Sequence, residues 1–289
     1  MNTTIKTTTI VIALLIFFSA NTFADPFEDS MAAYNKGDYS TAYNLLKPLA
    51  EQGYASAQFN LGLLYLHGKG LSQDYVEAAK WFRRAAEQGD ADAQNNLGVF
   101  YNQGLGVTQD YAEAARWYRK AAEQGYADAQ FSLGRFYEIG KGVSQDYNEA
   151  ISWYRKAADQ GNMEAQNSLG NTYIDGKGVN SNWQEAIKWY RISAKQGNPT
   201  AQYNLGIHLL DSAFGINEPE ARQWLKIAAQ GSDPKIASLA QKELNRLVSH
   251  EAAVEQSLEE QAESDREWAR QQQEMLEFNQ QMMDIMDSK

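Results

Sequence analysis

The chain has 289 residues, 43% of them apolar, which is ample for a core. It contains no cysteine, which excludes disulfides, thiolate metal sites, a cysteine nucleophile and the lipidated cysteine of a bacterial lipoprotein. Its net charge of −11 argues against nucleic acid, whose binding rests largely on phosphate neutralisation by Lys and Arg.

The N-terminus reads as a secretory signal over residues 1–24. Lys6 supplies a small positive region, Ile10 to Phe18 is a short apolar run, and Thr22 and Ala24 are small residues where a signal peptidase would read. A membrane-spanning helix needs about 20 apolar residues, so the run is short for a permanent anchor. Cleavage is expected after Ala24, with a periplasmic or secreted mature chain.

From Asp25 onward the dominant feature is self-similarity. Ala-Glu-Gln-Gly stands at Ala50–Gly53, Ala86–Gly89 and Ala122–Gly125, and variants follow at Ala158–Gly161 and Ala194–Gly197, each 36 residues on. Leu61-Gly62 recurs as Leu97-Gly98, Leu133-Gly134, Leu169-Gly170 and Leu205-Gly206. A third block, Tyr75, Glu77-Ala78 and Trp81-Phe82, returns at Tyr111, Tyr147 and Trp183, while a degenerate fifth copy keeps Glu220-Ala221 and Trp224. Gly37-Asp38-Tyr39 is a half-copy upstream.

Each unit divides at its glycines into two helices. A first helix, A, runs roughly from Ala55 to His67 and ends at Gly68-Lys69-Gly70, since glycine tolerates the left-handed C-cap. A second, B, starts at Asp74, a good N-cap, and runs to Gln88. Ala57, Leu61 and Tyr65 form one stripe of helix A, and Tyr75, Ala78, Phe82 and Ala85 the facing stripe of helix B. Gly62 in mid-helix costs about 1 kcal/mol against alanine, so a close approach by a neighbouring helix or its tryptophan is expected there. The Gly-x-Gly turns lack the strand-to-helix context of a nucleotide loop and read as caps.

Ala-x-x-x-Leu-Gly-x-x-Tyr, Gly-x-Gly-Val, Asp-Tyr-x-Glu-Ala and Trp-Tyr-x-x-Ala-Ala-x-x-Gly together resemble the Sel-one-like repeat (SLR), a relative of the tetratricopeptide repeat. The resemblance covers about Asp25 to Leu244. It implies an all-α fold, a right-handed α-solenoid of stacked helical hairpins over residues 25–245, a non-catalytic scaffold, and frequent export in bacteria.

Comparing the repeats with one another separates positions that hold the stack from positions left open. On helix A the open positions are Phe59, Leu63 and Leu66; Asn95, Val99 and Asn102; Phe131, Arg135 and Glu138; Asn167, Asn171 and Ile174; and Tyr203, Ile207 and Leu210. Aromatic, aliphatic and amide side chains suit a protein interface better than water, and in a tetratricopeptide-like arrangement they would line a groove. The competing reading is that some of them complete packing between repeats.

Residues 246–289 form a tail that is expected to be helical or partly disordered, with a helical tail completing the fold class. From Glu251 it holds eleven acidic residues against three basic ones, a net −8 of the chain's −11. Trp268, Met275, Phe278, Met282 and Ile285 keep a three-four spacing interrupted by Gln271. Such a tail either folds back onto the repeats or projects to bind a partner or a second copy.

No cofactor or metal is expected. His67, His208 and His250 are scattered, no pair has metal-ligand spacing, and nucleophilic catalysis lacks a candidate. The leading expectation is a protein partner held in the helix A groove. Neutralising an envelope toxin or enzyme, acting on a host, and binding peptidoglycan are the alternatives.

Overall fold

The structure, a computed structural model, describes residues 25–211 and 216–287, with side chains as far as residue 284. The expected leader and the Ile285 side chain lie outside the described residues. Thirteen helices run through them: α1 (Pro26–Asn35), α2 (Tyr39–Glu51), α3 (Ala55–His67), α4 (Tyr75–Glu87), α5 (Ala91–Gln103), α6 (Tyr111–Glu123), α7 (Ala127–Ile139), α8 (Tyr147–Asp159), α9 (Met163–Asp175), α10 (Trp183–Lys195), α11 (Pro199–His208), α12 (Glu218–Ala229) and α13 (Pro234–Asp287). The fold is all-α, built of consecutive helix pairs as the repeat implied.

The ends of these helices follow from local chemistry. The Asp74 carboxylate accepts from the backbone N–H groups of Val76 at 2.8 Å and Glu77 at 3.0 Å, satisfying donors that the first helical turn leaves unpaired. Asp110 and Asp146 do the same for α6 and α8. At the other end of α3, Gly68 adopts the left-handed cap with φ 63°.

The second glycine of that turn has a different reason. A Cβ on Gly70 would lie 2.7 Å from the Tyr39 carbonyl carbon, because the turn presses on the start of the preceding helix B. Gly106 meets Tyr75 and Gly178 meets Tyr147 in the same way. The Gly-x-Gly signature therefore combines a cap with a contact between repeats, where the sequence suggested caps alone.

The chain divides into two compact units, one ending at Trp117 and the other beginning at Tyr118, so the boundary falls inside α6. In the first unit, Leu46, Ala50, Ala57, Leu61, Leu64 and Trp81 form one buried cluster and Ala78, Ala79, Phe82 and Phe100 another. In the second, Tyr154 and Leu169, then Tyr190 and Leu205, then Leu225 head successive clusters. Within each unit successive hairpins share their cores, which is how stacked repeats bury a face that none could bury alone.

The last helix, α13, changes character along its length. Asp233 caps it, accepting from the N–H groups of Lys235 and Ile236. Its first turns bury Ile236, Ala240, Leu244 and Leu247 against Leu225 and Ala228 of α12. It continues unbroken through residues 245 and 246, and every residue from 248 to 284 is exposed. The segment before Trp268 is helical as well.

Candidate partner-binding site

The scaffold behind the helix A faces rests on two recurring contacts. One explains the mid-helix glycine. A Cβ on Gly62 would sit 2.7 Å from the Phe82 ring, one on Gly134 2.6 Å from Tyr154, and one on Gly170 2.4 Å from Tyr190. The close approach is by the residue after the tryptophan, on helix B of the same hairpin. The tryptophan itself faces the joint with the preceding hairpin: Trp81 clusters with Leu46 and Ala50 of α2, Trp117 with Ala85 and Ala86 of α4.

The other contact is a buried glutamine. Gln58 donates from Nε2 to the carbonyl of Ala50 at 3.0 Å, and Gln94, Gln130, Gln166 and Gln202 repeat the bond to Ala86, Ala122, Ala158 and Ala194. Each ties its helix A to a carbonyl in the last turn of the preceding helix B, one that also accepts from the backbone N–H of the turn glycine, as Ala50 does from Gly53 at 3.1 Å. The Gln88 amide in turn donates to Gln58 Oε1 at 2.7 Å, with Gln160 and Gln196 bonded likewise to Gln130 and Gln166. A glutamine in a helix ordinarily faces water, so only its recurrence every 36 residues could have marked it.

Helix B also reaches forward to the next helix A. Arg155 donates to the Tyr173 hydroxyl at 2.6 Å, and Arg83–Tyr101 and Arg119–Tyr137 are matching pairs. Where the position after Tyr173 in this series is Leu209, Arg191 turns instead to Glu220 on α12, at 2.9 Å. On the outer side of α4, Lys80, Arg83 and Arg84 line a hollow of about 380 Å³. All three are engaged, Lys80 with Glu77, Arg83 with Tyr101 and Arg84 over the Trp81 ring, so the hollow reads as scaffold.

The open positions divide sharply once placed. In the first unit, Phe59, Leu63 and Leu66 pack on the cluster of Ala78, Ala79, Phe82 and Phe100, with the Phe59 and Phe82 rings 5.8 Å apart. Asn95, Val99 and Asn102 on α5 are half-buried. In the second unit, Tyr203, Ile207 and Leu210 pack against the cluster formed by α12 and the first turns of α13. The last helix A face is therefore occupied by the chain's own C-terminal helix, because α13 supplies the apolar partner that a further repeat would have given.

What remains open lies on α7 and α9. Arg135 and Asn171 are exposed, and Phe131, Glu138 and Ile174 are half-buried beside them. The Arg135 guanidinium lies over the Phe131 ring, 5.9 Å from its centre, and Phe131 rests against Tyr154 at 5.9 Å. The Tyr154 hydroxyl donates to Glu138 Oε2 at 2.6 Å. The Tyr190 hydroxyl donates to Asn171 Oδ1 at 2.7 Å, and Asn204 Nδ2 reaches both Asn167 Oδ1 at 3.1 Å and Asn171 Oδ1 at 3.4 Å. Asn167 itself is buried, at 9% exposure.

Burial raises the ionisation of both tyrosines well above the ordinary phenol range, aided at Tyr154 by its bond to Glu138 and at Tyr190 by the charge of Asp175. They stay neutral donors at any physiological pH. His208 stacks on the Tyr190 ring, 5.5 Å away and nearly parallel, and burial holds its pKa below the usual value, against the opposing pull of Asp211 and Asp175. Neutral aromatic groups thus hold the exposed polar side chains from beneath. Among the described residues no cluster of His, Asp or Glu is arranged to hold a metal ion.

The Sel1 repeat family model matches residues 33–54, 55–90, 91–126, 127–162, 164–198 and 199–233. The chain belongs to the Sel1 repeat family. Sel1 repeat proteins are protein-interaction scaffolds; the first matched repeat takes in the end of α1 and all of α2, and the other five follow the helix pairs from α3–α4 to α11–α12. A crystal structure of a Sel1 repeat protein from Oxalobacter formigenes is 33% identical, covering 74% of this chain and 88% of that one, with a TM-score of 0.68. A protective antigen present in uropathogenic Escherichia coli strains, displaying an SLR fold, is 34% identical over 71% of this chain, with a TM-score of 0.54. The match covers 53% of that protein, about half its length. An immunity protein from Pseudomonas aeruginosa is 20% identical, covering 70% of this chain and 81% of that one, with a TM-score of 0.45, a likeness too distant to bear on role. A comparison with curated proteins finds no match.

Proposed function

We propose that this Sel1 repeat protein is an exported, non-catalytic adaptor that grips a protein segment on the α7–α9 face of its second unit. Export, with cleavage after Ala24, rests on the leader pattern of residues 1–24.

One observation carries the binding face: its exposed polar groups are already held in place. Asn171 has its Oδ1 occupied by the Tyr190 hydroxyl and by Asn204, which leaves its amide hydrogens to donate outward. Arg135 is steadied over Phe131. Groups fixed before binding lose little side-chain entropy on capture, which is the usual source of affinity on a surface without a deep pocket. The chemistry suits an extended segment that offers a backbone carbonyl to Asn171 and a carboxylate to Arg135.

Affinity capture from an envelope fraction, followed by mass spectrometry, tests this. Arg135→Glu should cut partner recovery by about tenfold or more while leaving the melting temperature in place. Phe131→Ala should lower both, since Phe131 also packs on Tyr154. Equal recovery by wild type and Arg135→Glu would sink the assignment of this face. Export is checked separately by the N-terminus of the purified protein, expected at Asp25.

A further inference from the structure

The exposed part of α13 is an amphipathic helix whose apolar side has no partner among the described residues. From residue 248 to 284 it would extend about 55 Å at 1.5 Å per residue. Along it Trp268 is 65% exposed, Phe278 61%, Met275 56% and Met282 44%, and single chains rarely present that much large apolar surface in one line. The line is periodic. Ala240, Leu247, Val254, Gln261, Trp268, Met275 and Met282 fall every seven residues, and Ala240 and Leu247 are the buried ones at the root. The seam that packs α13 onto α12 therefore continues outward past the last residue able to reach it.

Direction at the root is fixed by more than packing. The Arg222 guanidinium lies 2.7 Å from Glu218 and 2.7 Å from Glu251, tying the first exposed turn of α13 back to α12.

We propose that residues 267–284 of α13 pair with the same segment of a second copy as a short parallel coiled coil. Placing Trp268, Met275 and Met282 at the first core position of each heptad puts Gln271 and Phe278 at the second. The flanking positions then decide between partners. In a parallel pair Glu267 faces Gln272 of the second copy and Glu274 faces Asn279, so each carboxylate meets an amide donor and none meets a carboxylate. One heptad upstream Glu260 would face Asp265, and the like charges end the pairing there.

The outward carboxylates are already bonded within their own helix, Glu277 by Gln273 at 3.2 Å and Asp284 by Gln280 at 3.1 Å. Gln271 selects the orientation. In register and parallel it meets its own copy, and the two amides satisfy each other. An antiparallel pairing on the same seam sets it against Met282 and strands it. A seam this short makes a weak dimer, with a dissociation constant on the order of micromolar.

Sedimentation equilibrium on the purified protein tests the pairing, and the absence of native cysteine allows a site-specific crosslink. The expected result is a concentration-dependent dimer, weakened about 100-fold or more by Met275→Glu with Phe278→Glu, with an unchanged melting temperature for the repeats. On mild oxidation Gln271→Cys should crosslink to itself, and Gln280→Cys, on the outer face, should not. A monomer up to about 100 μM, a hundred times the expected constant, or a dimer that survives the double substitution, would overturn the proposal. So would crosslinking of Gln280→Cys as fast as Gln271→Cys.

Discussion

Helix α10 and the far end of α13 carry the same kind of amphipathic spacing and meet opposite fates. In α10, Ala186, Tyr190 and Ala194 are buried, because α9 and α11 close over them on either side. In α13, Trp268, Met275 and Met282 stand in solvent, because none of the described helices packs against them. An apolar stripe is thus a request for a neighbour, and only the order of elements along the chain says whether the neighbour is built in. Sharpening this contrast means perturbing each side and comparing the stability of the repeats.

The largest loss is expected from Tyr190→Ala, which removes a ring that is 1% exposed and packed between Gly170 and His208. Chemical denaturation should record about 4 kcal/mol. Next comes Gly170→Ala, where the new methyl group would lie 2.4 Å from that ring. Overpacking of about 3 kcal/mol, less the roughly 1 kcal/mol that alanine gains in a helix, leaves a net loss of about 2 kcal/mol. On the other side of the comparison, truncation after Leu247 should leave the same unfolding transition within about 0.5 kcal/mol, because every side chain removed up to residue 284 is exposed. A loss of several kcal/mol would mean that the extension does hold the repeats together.

The smallest effect concerns pH. His208 has its pKa depressed by burial against Tyr190, so the unfolded chain takes up this proton more readily than the folded one. Its contribution to stability is complete above the ordinary value of 6.5 and is lost as the pH falls below it. The melting temperature should therefore drop on acidification through that range, and His208→Gln should flatten the drop. An identical pH profile for the two proteins would rule out His208 as its source.

Much of this was legible from residue types alone. The helix ends follow from Asp74, Asp146 and Gly68, whose side chain or lack of one decides a backbone bond locally. The mid-helix glycine announced a close neighbour, although which aromatic came close depended on how helix B is rotated, and spacing along one strand of text does not carry that. The glutamines were hidden for a related reason: Gln58 looks like a surface residue until its amide is seen to reach the Ala50 carbonyl across the loop. The open face was legible only in part. Variation among repeats identifies positions that the stack does not constrain, yet Phe59 and Tyr203 vary and still pack, one on α4 and the other beneath α13. Arg135 and Asn171 differ from them in that no described residue covers them.

The glutamine bond also bears on how such a chain changes length over generations. Gln130 reaches back eight residues to Ala122, and Gln166 reaches back eight to Ala158, so the two halves of each joint lie either side of one short loop. An in-frame loss of residues 127–162 would bring Gln166 to the place of Gln130, opposite Ala122, with the joint intact. Whole repeats are interchangeable in this sense, whereas α13 exists once and has no substitute. Gene duplication and deletion can lengthen or shorten the middle of the molecule without breaking that joint.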